Sequence, residues 1–164
     1  MSSKPTSPTP SQTVGPFFGF ALPFSGGSDF AREGRGVRIE GQLLDGAEEP
    51  VPDGLVEVWS GNDFARCRTD SEGVFHFTVE KPARDSMSSG EAPHLNVIVF
   101  ARGLLRHLAT RIYFPDEEAA NSGDRVLNRV EPERRGTLIA QGRGSVLQFD
   151  IRLQGDRETV FFGL

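Results

Sequence analysis

The sequence predicts an all-β fold, an antiparallel β-sandwich with short helical crossover segments and an extended N-terminal arm. Apolar and polar residues alternate in segments such as VRIEGQLL (37–44) and VFHFTV (74–79), as they do in strands with one buried face. Turn signals recur at intervals of about ten residues, which is typical of a sandwich rather than of a parallel sheet with crossover helices. Helix signals are confined to short pieces between residues 115 and 140.

At least six segments are predicted to be strands. They are VRIEGQLL (37–44), LVEVWS (55–60), VFHFTV (74–79), HLNVIVFA (94–101), HLATRIYF (107–114) and VLQFDIRL (146–153). Turns are predicted at Asp45-Gly46, at DSEG (70–73) and, as a hairpin, at QGRGS (141–145). The helical pieces PDEEAAN (115–121) and PERRGTLIA (132–140) each begin with proline, which is favoured in the first helical turn, and are predicted to form a crossover.

Length and charge limit the function classes. A chain of 164 residues fits one domain, 1–164, and its net charge of −5 with dispersed arginines gives no general attraction to nucleic acid. No apolar run is long enough to span a membrane, and the first residues lack the apolar core of a secretory signal. A single cysteine, Cys67, cannot form an internal disulfide, so we expect a cytoplasmic protein. Cys67 itself is interpreted as a small apolar side chain beside a turn in RCRTD (66–70).

Residues 1–36 are predicted to form an arm that docks on another surface. The segment is rich in proline, serine and glycine, yet it contains GPFFGFALPF (15–24). Leaving the aromatic and leucine side chains of that stretch in water would cost free energy, since apolar surface is stabilised by burial.

The three histidines do not by themselves define a site. His76 lies between two phenylalanines of an alternating strand, on the opposite face, and His107 has no close partner in the sequence. His94 and Asn96 are two residues apart, so their side chains share one face of a strand, as in a His-x-His chelate. A stable iron or zinc site needs three or four donors, however, and no hydrolase or phosphate-binding motif is present. The residues alone therefore indicate a β-sandwich without an evident catalytic set.

Several blocks of the sequence resemble, in order, the intradiol ring-cleavage dioxygenase family, and in particular its alpha-type chains. The blocks are TPSQTVGPFF (9–18), LVEVW (55–59), APHLNVIVFARGLLRHLATRIYF (92–114), VLN (126–128), RRGTLIA (134–140) and FDIRLQGDRETVFF (149–162). This resemblance implies a β-sandwich and a non-haem Fe(III) held by two tyrosines and two histidines. In the two-chain members, the resemblance implies that the iron belongs to the beta chain.

The resemblance also implies that this chain lacks the metal site. His94 matches the first histidine of the iron-binding His-x-His motif, and the second position is Asn96, whose neutral amide is a weak donor to Fe(III). Two tyrosinate ligands require two tyrosines, and the sequence contains only Tyr113. We therefore expect no catalytic residue and no metal ligand in this chain alone, with Fe(III) bound by a homologous beta chain.

What remains is a role in the partner's substrate pocket. The resemblance implies that Thr13, Gly15, Pro16, Phe17 and Arg102 match positions that line this pocket, with Phe17 where alpha chains carry tyrosine. It implies αβ pairs in a larger assembly that cleaves protocatechuate with O2 to 3-carboxy-cis,cis-muconate, a step of aromatic catabolism in the beta-ketoadipate pathway. This chain alone is expected to be inactive.

Two other hypotheses stay open from the sequence. One is a self-sufficient metal-dependent dioxygenase with an unusual ligand set, built on His94 with His76 or His107. The other is a β-sandwich binding module without a catalytic partner, for which a missing active site needs no explanation.

Overall fold

Two β-sheets face each other in the computed structural model, which describes residues 9–15, 17–88 and 90–163. Within these residues the strands are β1 (Gly36–Leu44), β2 (Leu55–Ser60), β3 (Asp63–Arg68), β4 (Val74–Glu80), β5 (His94–Phe100), β6 (Leu108–Tyr113), β7 (Gln141–Arg143), β8 (Val146–Gln148) and β9 (Ile151–Arg152). The α-helices are α1 (Phe18–Ala21) and α2 (Glu118–Gly123), and 3-10 turns cover Arg84–Ser86, Pro115–Glu117, Leu127–Arg129 and Pro132–Leu138. None of these helices is long and apolar enough to cross a membrane.

The sheet order confirms the predicted β-sandwich. One sheet has the order β4-β1-β8-β7, with β9 also beside β1, and the other has the order β3-β2-β5-β6. Every pair in the second sheet is antiparallel, as is β1 with β4. The pairing of β1 with β8 and β9 is parallel, which the turn spacing did not predict.

The core lies between the sheets and is built from the alternating residues. Phe75 and Phe77 of β4 are fully buried, while His76 between them is only half-buried and faces the other way. The same period places Leu95, Val97 and Val99 of β5 in the core. Burying each side chain of this size stabilises the fold by about 1.5–3 kcal/mol, so the alternation in the sequence is the main determinant of the sandwich.

The last predicted strand is interrupted. Residues 146–153 form two short strands, β8 and β9, because the backbone of Phe149 crosses closely over Gly41 of β1. A Cβ at Gly41 would overlap the carbonyl oxygen of Phe149, and the Phe149 N–H donates to the carbonyl of Glu40 at 2.8 Å. Only glycine allows this approach, which inserts the Phe149 side chain into the core.

Strand β3 was not predicted from the sequence, and the assignment of Cys67 beside a turn is wrong. Cys67 lies within β3, which forms a tight hairpin with β2 through Gly61 (φ +59°) and Asn62. The turn follows later, at the predicted DSEG segment, where the Asp70 carboxylate accepts the N–H groups of Glu72 and Val74. Cys67 is half-buried, and burial raises the pKa of its thiol, in keeping with its interpretation as a small apolar side chain.

The predicted crossover between residues 115 and 140 is confirmed as a chain of short helical pieces. It covers the outer face of the second sheet with a small apolar cluster of its own. The buried members of this cluster are Ala92, Tyr113, Leu127, Val130 and Leu138. Because the crossover lies over the start of β5, the His94 side chain is only 5% exposed, although it faces away from the main core.

Part of the N-terminal arm packs on its own domain. Phe18 in α1 is buried, and Phe30 packs against the main core while its N–H donates to the carbonyl of Thr78 in β4. The other large apolar side chains of the arm are exposed. Val14, Phe17, Phe20, Leu22 and Phe24 are between 40% and 66% exposed, and we call this set the apolar arm surface.

Candidate functional site

The first candidate region surrounds His94 on the outer face of the second sheet. His94 and Asn96 share this face, as predicted from their spacing, and they lie opposite Tyr113 and Arg111 of the adjacent strand β6. Glu91 precedes β5, and Asp124 and Arg125 come from the crossover. We call the set Glu91, His94, Arg111, Tyr113, Asp124 and Arg125 the His94 pocket.

His94 is held as a neutral imidazole. Its Nδ1 lies 2.8 Å from the carbonyl oxygen of Ala92. A carbonyl can only accept, so Nδ1 carries the proton and Nε2 is left with its lone pair, 3.8 Å from a Glu91 carboxylate oxygen. Burial lowers the pKa of His94, and the positive charge of Arg111 acts in the same direction, against the Ala92 hydrogen bond.

Glu91 is the centre of an ion network in this pocket. Its nearly buried carboxylate lies 3.1 Å from Arg111 Nη1 and accepts from Nε and Nη2 of Arg125 at 3.1 and 2.7 Å. Burial alone would raise the pKa of Glu91, but the Arg125 hydrogen bonds and the charges of Arg111 and Arg125 outweigh it and lower the pKa. Glu91 is therefore ionised at neutral pH.

Asp124 ties the crossover to the sheet. It is completely buried, and its oxygens accept the N–H groups of Ala92, Val126 and Leu127 at 2.6–2.8 Å. It also accepts the Tyr113 hydroxyl at 3.1 Å, while Arg111 donates to the same hydroxyl at 3.3 Å. Burial, with the Asp124 charge, raises the pKa of Tyr113, so its phenol stays protonated.

This arrangement does not fit a ferric ion. The one tyrosine is a protonated hydrogen-bond donor rather than a tyrosinate, and the Arg111 guanidinium supplies the positive charge beside Asn96 and Glu91. Among the described residues, no three histidine, cysteine or carboxylate side chains converge on one point. His76 lies in the opposite sheet, and the His107 ring lies 5.7 Å from the Phe100 ring, between centroids, at the far end of the β5–β6 pair. The structure thus does not bring them to His94.

The second candidate region is formed by Arg102 and the arm. Arg102 follows the end of β5, and its Nη2 lies 2.6 Å from Oδ2 of Asp53, with the Arg102 side chain 70% exposed. Of the arm residues singled out from the sequence, Thr13 is exposed and Gly15 is half-buried with a φ of +85°. Pro16 lies outside the described residues. Phe17 is 66% exposed and makes an edge contact with Phe20, at 5.4 Å between ring centroids.

The structure brings the arm and the Arg102 loop to one groove. A cavity of about 580 Å³ lies between the arm residues Ser11, Gln12 and Val14 on one side and residues 100–101, 104–108 and 162–163 on the other. The predicted pocket residues Thr13 and Arg102 do not line it. Arg106 Nε donates to the hydroxyl of Ser11 at 3.0 Å across this groove. Apolar side chains line much of it, including Val14, Leu104 and Leu105.

Two contacts that hold the arm were missed in the sequence. Arg66 of β3 pairs with Glu57 of β2 at 2.6 Å and donates to the carbonyl of Leu22 in the arm at 3.0 Å. Gly19 of α1 lies beside Asp53, where an added Cβ would be in ordinary contact with the Asp53 carbonyl oxygen at 3.4 Å. The sequence signal for the first contact was the opposite charge of Glu57 and Arg66. This signal can be used only once the register of β2 and β3 is known, because the register places the two residues directly opposite each other.

Sequence comparisons identify close relatives over nearly the whole chain. The chain is 40% identical over 189 aligned residues to the protocatechuate 3,4-dioxygenase alpha chain of Burkholderia cepacia, covering 94% of this chain and 96% of the relative. It is 37% identical to the protocatechuate 3,4-dioxygenase alpha chain of Pseudomonas putida, covering 94% and 95%. The protocatechuate 3,4-dioxygenase beta chain of Burkholderia cepacia is more distant, at 24% identity over 74% of this chain and 66% of the relative. No family model matches the chain.

Comparison with solved structures supports the fold. The dioxygenase domain of a dioxygenase and carbohydrate-binding protein fusion from Streptomyces sp. SirexAA-E superposes with a TM-score of 0.62 at 22% identity, covering 91% of this chain and 99% of that one. Catechol 1,2-dioxygenase from Pseudomonas arvilla C-1 gives a TM-score of 0.54 at 20% identity, covering 78% and 56%. At these identities the likeness concerns the β-sandwich fold.

Proposed function

The chain belongs to the family of protocatechuate 3,4-dioxygenase alpha chains, and we propose that it is the non-iron-binding subunit of such an enzyme. It would pair with a homologous beta chain that holds Fe(III), in a complex that cleaves protocatechuate with O2 to 3-carboxy-cis,cis-muconate. The observation that supports this proposal is the His94 pocket, in which protein side chains pair with one another around the residue that the resemblance matches to a metal ligand. A cytoplasmic location accompanies the proposal, since Cys67 has no cysteine partner.

Within the complex, this chain would supply part of the substrate pocket. The arm residues Thr13, Gly15, Pro16 and Phe17 would form a wall, and Gly15 with its positive φ lets the backbone turn there without strain. Arg102 would attract the carboxylate of protocatechuate, because a guanidinium presents several N–H donors to an anion. The contribution of this chain would be binding and orientation of the substrate.

The apolar arm surface supports docking of residues 1–36 on the partner. Phe17, Phe20 and Phe24 are each more than half exposed. An apolar patch of this kind on a soluble domain marks an interaction site more often than it marks free surface. Covering it with a second chain would stabilise both the arm and the groove beside it.

Separate and joint expression tests the subunit assignment. The chain should be produced alone and together with a homologous beta chain, and assayed for bound iron, for the visible absorption of tyrosinate bound to iron, and for oxygen uptake with protocatechuate. We expect all three only in the joint preparation. Iron and activity in the chain alone would instead support the self-sufficient metalloenzyme, and failure to associate would support the isolated binding module.

Substitution of Arg102 tests its role in the pocket. In the assembled enzyme, Arg102→Ala should raise KM for protocatechuate by about tenfold, since a charge-assisted hydrogen bond contributes about 1.5 kcal/mol or more. Catechol, which lacks the carboxylate, is the matched substrate and should show little change. Equal kinetics of wild type and variant for protocatechuate would remove Arg102 from the proposed pocket.

A further inference from the structure

We propose that Asp53 is a positioning residue that orients Arg102 toward the substrate carboxylate. This inference rests on the proposed function, because it assigns Asp53 a role through Arg102 rather than through contact with the substrate. The observation that carries it is the ion pair between Arg102 Nη2 and Asp53 Oδ2 at 2.6 Å.

The sheet register places these two residues side by side. Leu55 of β2 lies opposite Phe100 of β5, so the antiparallel ladder extended by two positions brings Asp53 opposite Arg102. Oppositely charged residues at such cross-strand positions interact directly. The pair is thus a consequence of where β2 begins and β5 ends.

The backbone around Asp53 is held by hydrogen bonds, and the Asp53 side chain is less exposed than that of Arg102. The Thr69 hydroxyl accepts the N–H of Gly54 at 2.8 Å and donates to the carbonyl of Val51 at 2.7 Å, which holds the backbone on both sides of Asp53. Helix α1 packs against the Asp53 carbonyl through Gly19. The Asp53 side chain is 24% exposed and that of Arg102 is 70% exposed. A partly buried carboxylate therefore holds a long, exposed cation.

The ion pair leaves most of the guanidinium free. Arginine has five N–H donors, the 2.6 Å contact with Asp53 is made by Nη2, and the Arg102 side chain is 70% exposed. The remaining donors can meet a carboxylate without breaking the pair. Asp53 also offsets the positive charge of Arg102. The substrate carboxylate would therefore be bound mainly because the N–H donors of Arg102 are held in place, and less because of a net positive charge at this position.

Two substitutions separate orientation from charge. In the assembled enzyme, Asp53→Ala should raise KM for protocatechuate by about two- to fivefold with kcat unchanged, the range that exposed ion pairs contribute. Asp53→Asn keeps an acceptor of the same shape and should fall between wild type and Asp53→Ala. The dissociation constant for protocatechuate, measured by calorimetry without O2, should follow the same order. Asp156→Ala, which changes an exposed carboxylate in another loop, is the control and should match wild type.

The Arg102→Ala background decides whether Asp53 acts through Arg102. There, adding Asp53→Ala should cause no further change in KM or in the dissociation constant. If Asp53→Ala still raises KM or the dissociation constant in this background, the inference is overturned. Tighter binding of protocatechuate in both Asp53 variants would also overturn it, because Asp53 would then compete with the substrate for the guanidinium. If Arg102→Ala raises KM for protocatechuate and Asp53→Ala does not, the role of Asp53 fails and the role of Arg102 stands. If Arg102→Ala is unimpaired, the proposed role of Arg102 fails as well.

Discussion

The His94 pocket and the apolar arm surface show opposite relations to solvent. In the pocket, buried charges are paired within the chain, and Asp124 alone accepts four hydrogen bonds. On the apolar arm surface, large apolar side chains are exposed. The polar side chains around His94 are therefore paired within the chain, whereas the apolar arm surface exposes side chains that a proposed partner would cover.

This difference separates stability from function within one chain. A buried, fully satisfied network stabilises the fold only as long as every member is present, since an unpaired buried charge is costly. Exposed residues contribute little to folding and can be retained for contacts with another chain. Substitutions in the two regions should accordingly affect different measurements.

The largest loss of stability is expected for Asp124→Ala. The substitution leaves three buried N–H groups and the Tyr113 hydroxyl without their acceptor, and Arg111 and Arg125 with one fewer nearby negative charge. We expect the free energy of unfolding to fall by about 3–5 kcal/mol, measured by denaturant titration of the assembled enzyme. Asp124→Asn, with its amide oxygen at the Oδ1 position, keeps three of the four acceptor contacts and should lose less. Wild-type stability of Asp124→Ala would show that the pocket does not hold the crossover to the sheet.

Acid should destabilise the His94 pocket in two stages. The pKa of His94 is lowered by burial, so below its ordinary value of 6.5 the unfolded chain binds a proton that the folded chain excludes, and stability falls. The pKa of Glu91 is also lowered, so its ion network with Arg111 and Arg125 stabilises the fold above the ordinary value of 4.5 and is lost as the pH falls further. Denaturant midpoints at pH 7.5, 5.5 and 4 measure both stages.

Single substitutions assign the two stages. Glu91→Gln should cost about 2 kcal/mol at pH 7.5, because it removes the charge that Arg111 and Arg125 share, and it should remove the lower stage. His94→Asn should remove the upper stage. Unchanged pH profiles in both variants would place the acid sensitivity outside the pocket.

Restoring the second histidine should not restore a metal site. Asn96→His recreates the His-x-His spacing, but Arg111 lies opposite that position and Tyr113 is hydrogen-bonded as a neutral phenol. We expect no stoichiometric iron by metal analysis, no visible absorption band, and a change in stability of about 1 kcal/mol or less. Tight iron binding by this variant would mean that Asn96 is all that separates the pocket from the family's metal site.

The sandwich could be predicted from the sequence because its core strands alternate strictly, as in the segment from Val74 to Val79. The expectation that this chain holds no iron rests on Asn96 and the single Tyr113, and it stays a prediction. The ion network could not be predicted, because Glu91, Arg111 and Asp124 meet only once β5, β6 and the crossover have been assembled. Nor could the break at Phe149, since it depends on the close passage over Gly41 in another strand.

The smallest effect on folding, and the clearest effect on assembly, is expected on the apolar arm surface. Phe20 and Phe24 are 61% and 57% exposed, so Phe20→Ser with Phe24→Ser should change the free energy of unfolding of the chain by about 0.5 kcal/mol or less. If the beta chain covers these rings, the same pair of substitutions should weaken association by tenfold or more, since burying each ring contributes about 1.5–3 kcal/mol. Sedimentation with increasing beta chain measures this, with Val74→Ser, an exposed change on β4, as the control. If the doubly substituted chain associates with the beta chain as wild type does, the interface lies elsewhere. If the substitutions strongly destabilise the chain without its partner, the two rings pack on their own domain, and the His94 pocket and the apolar arm surface do not differ as described.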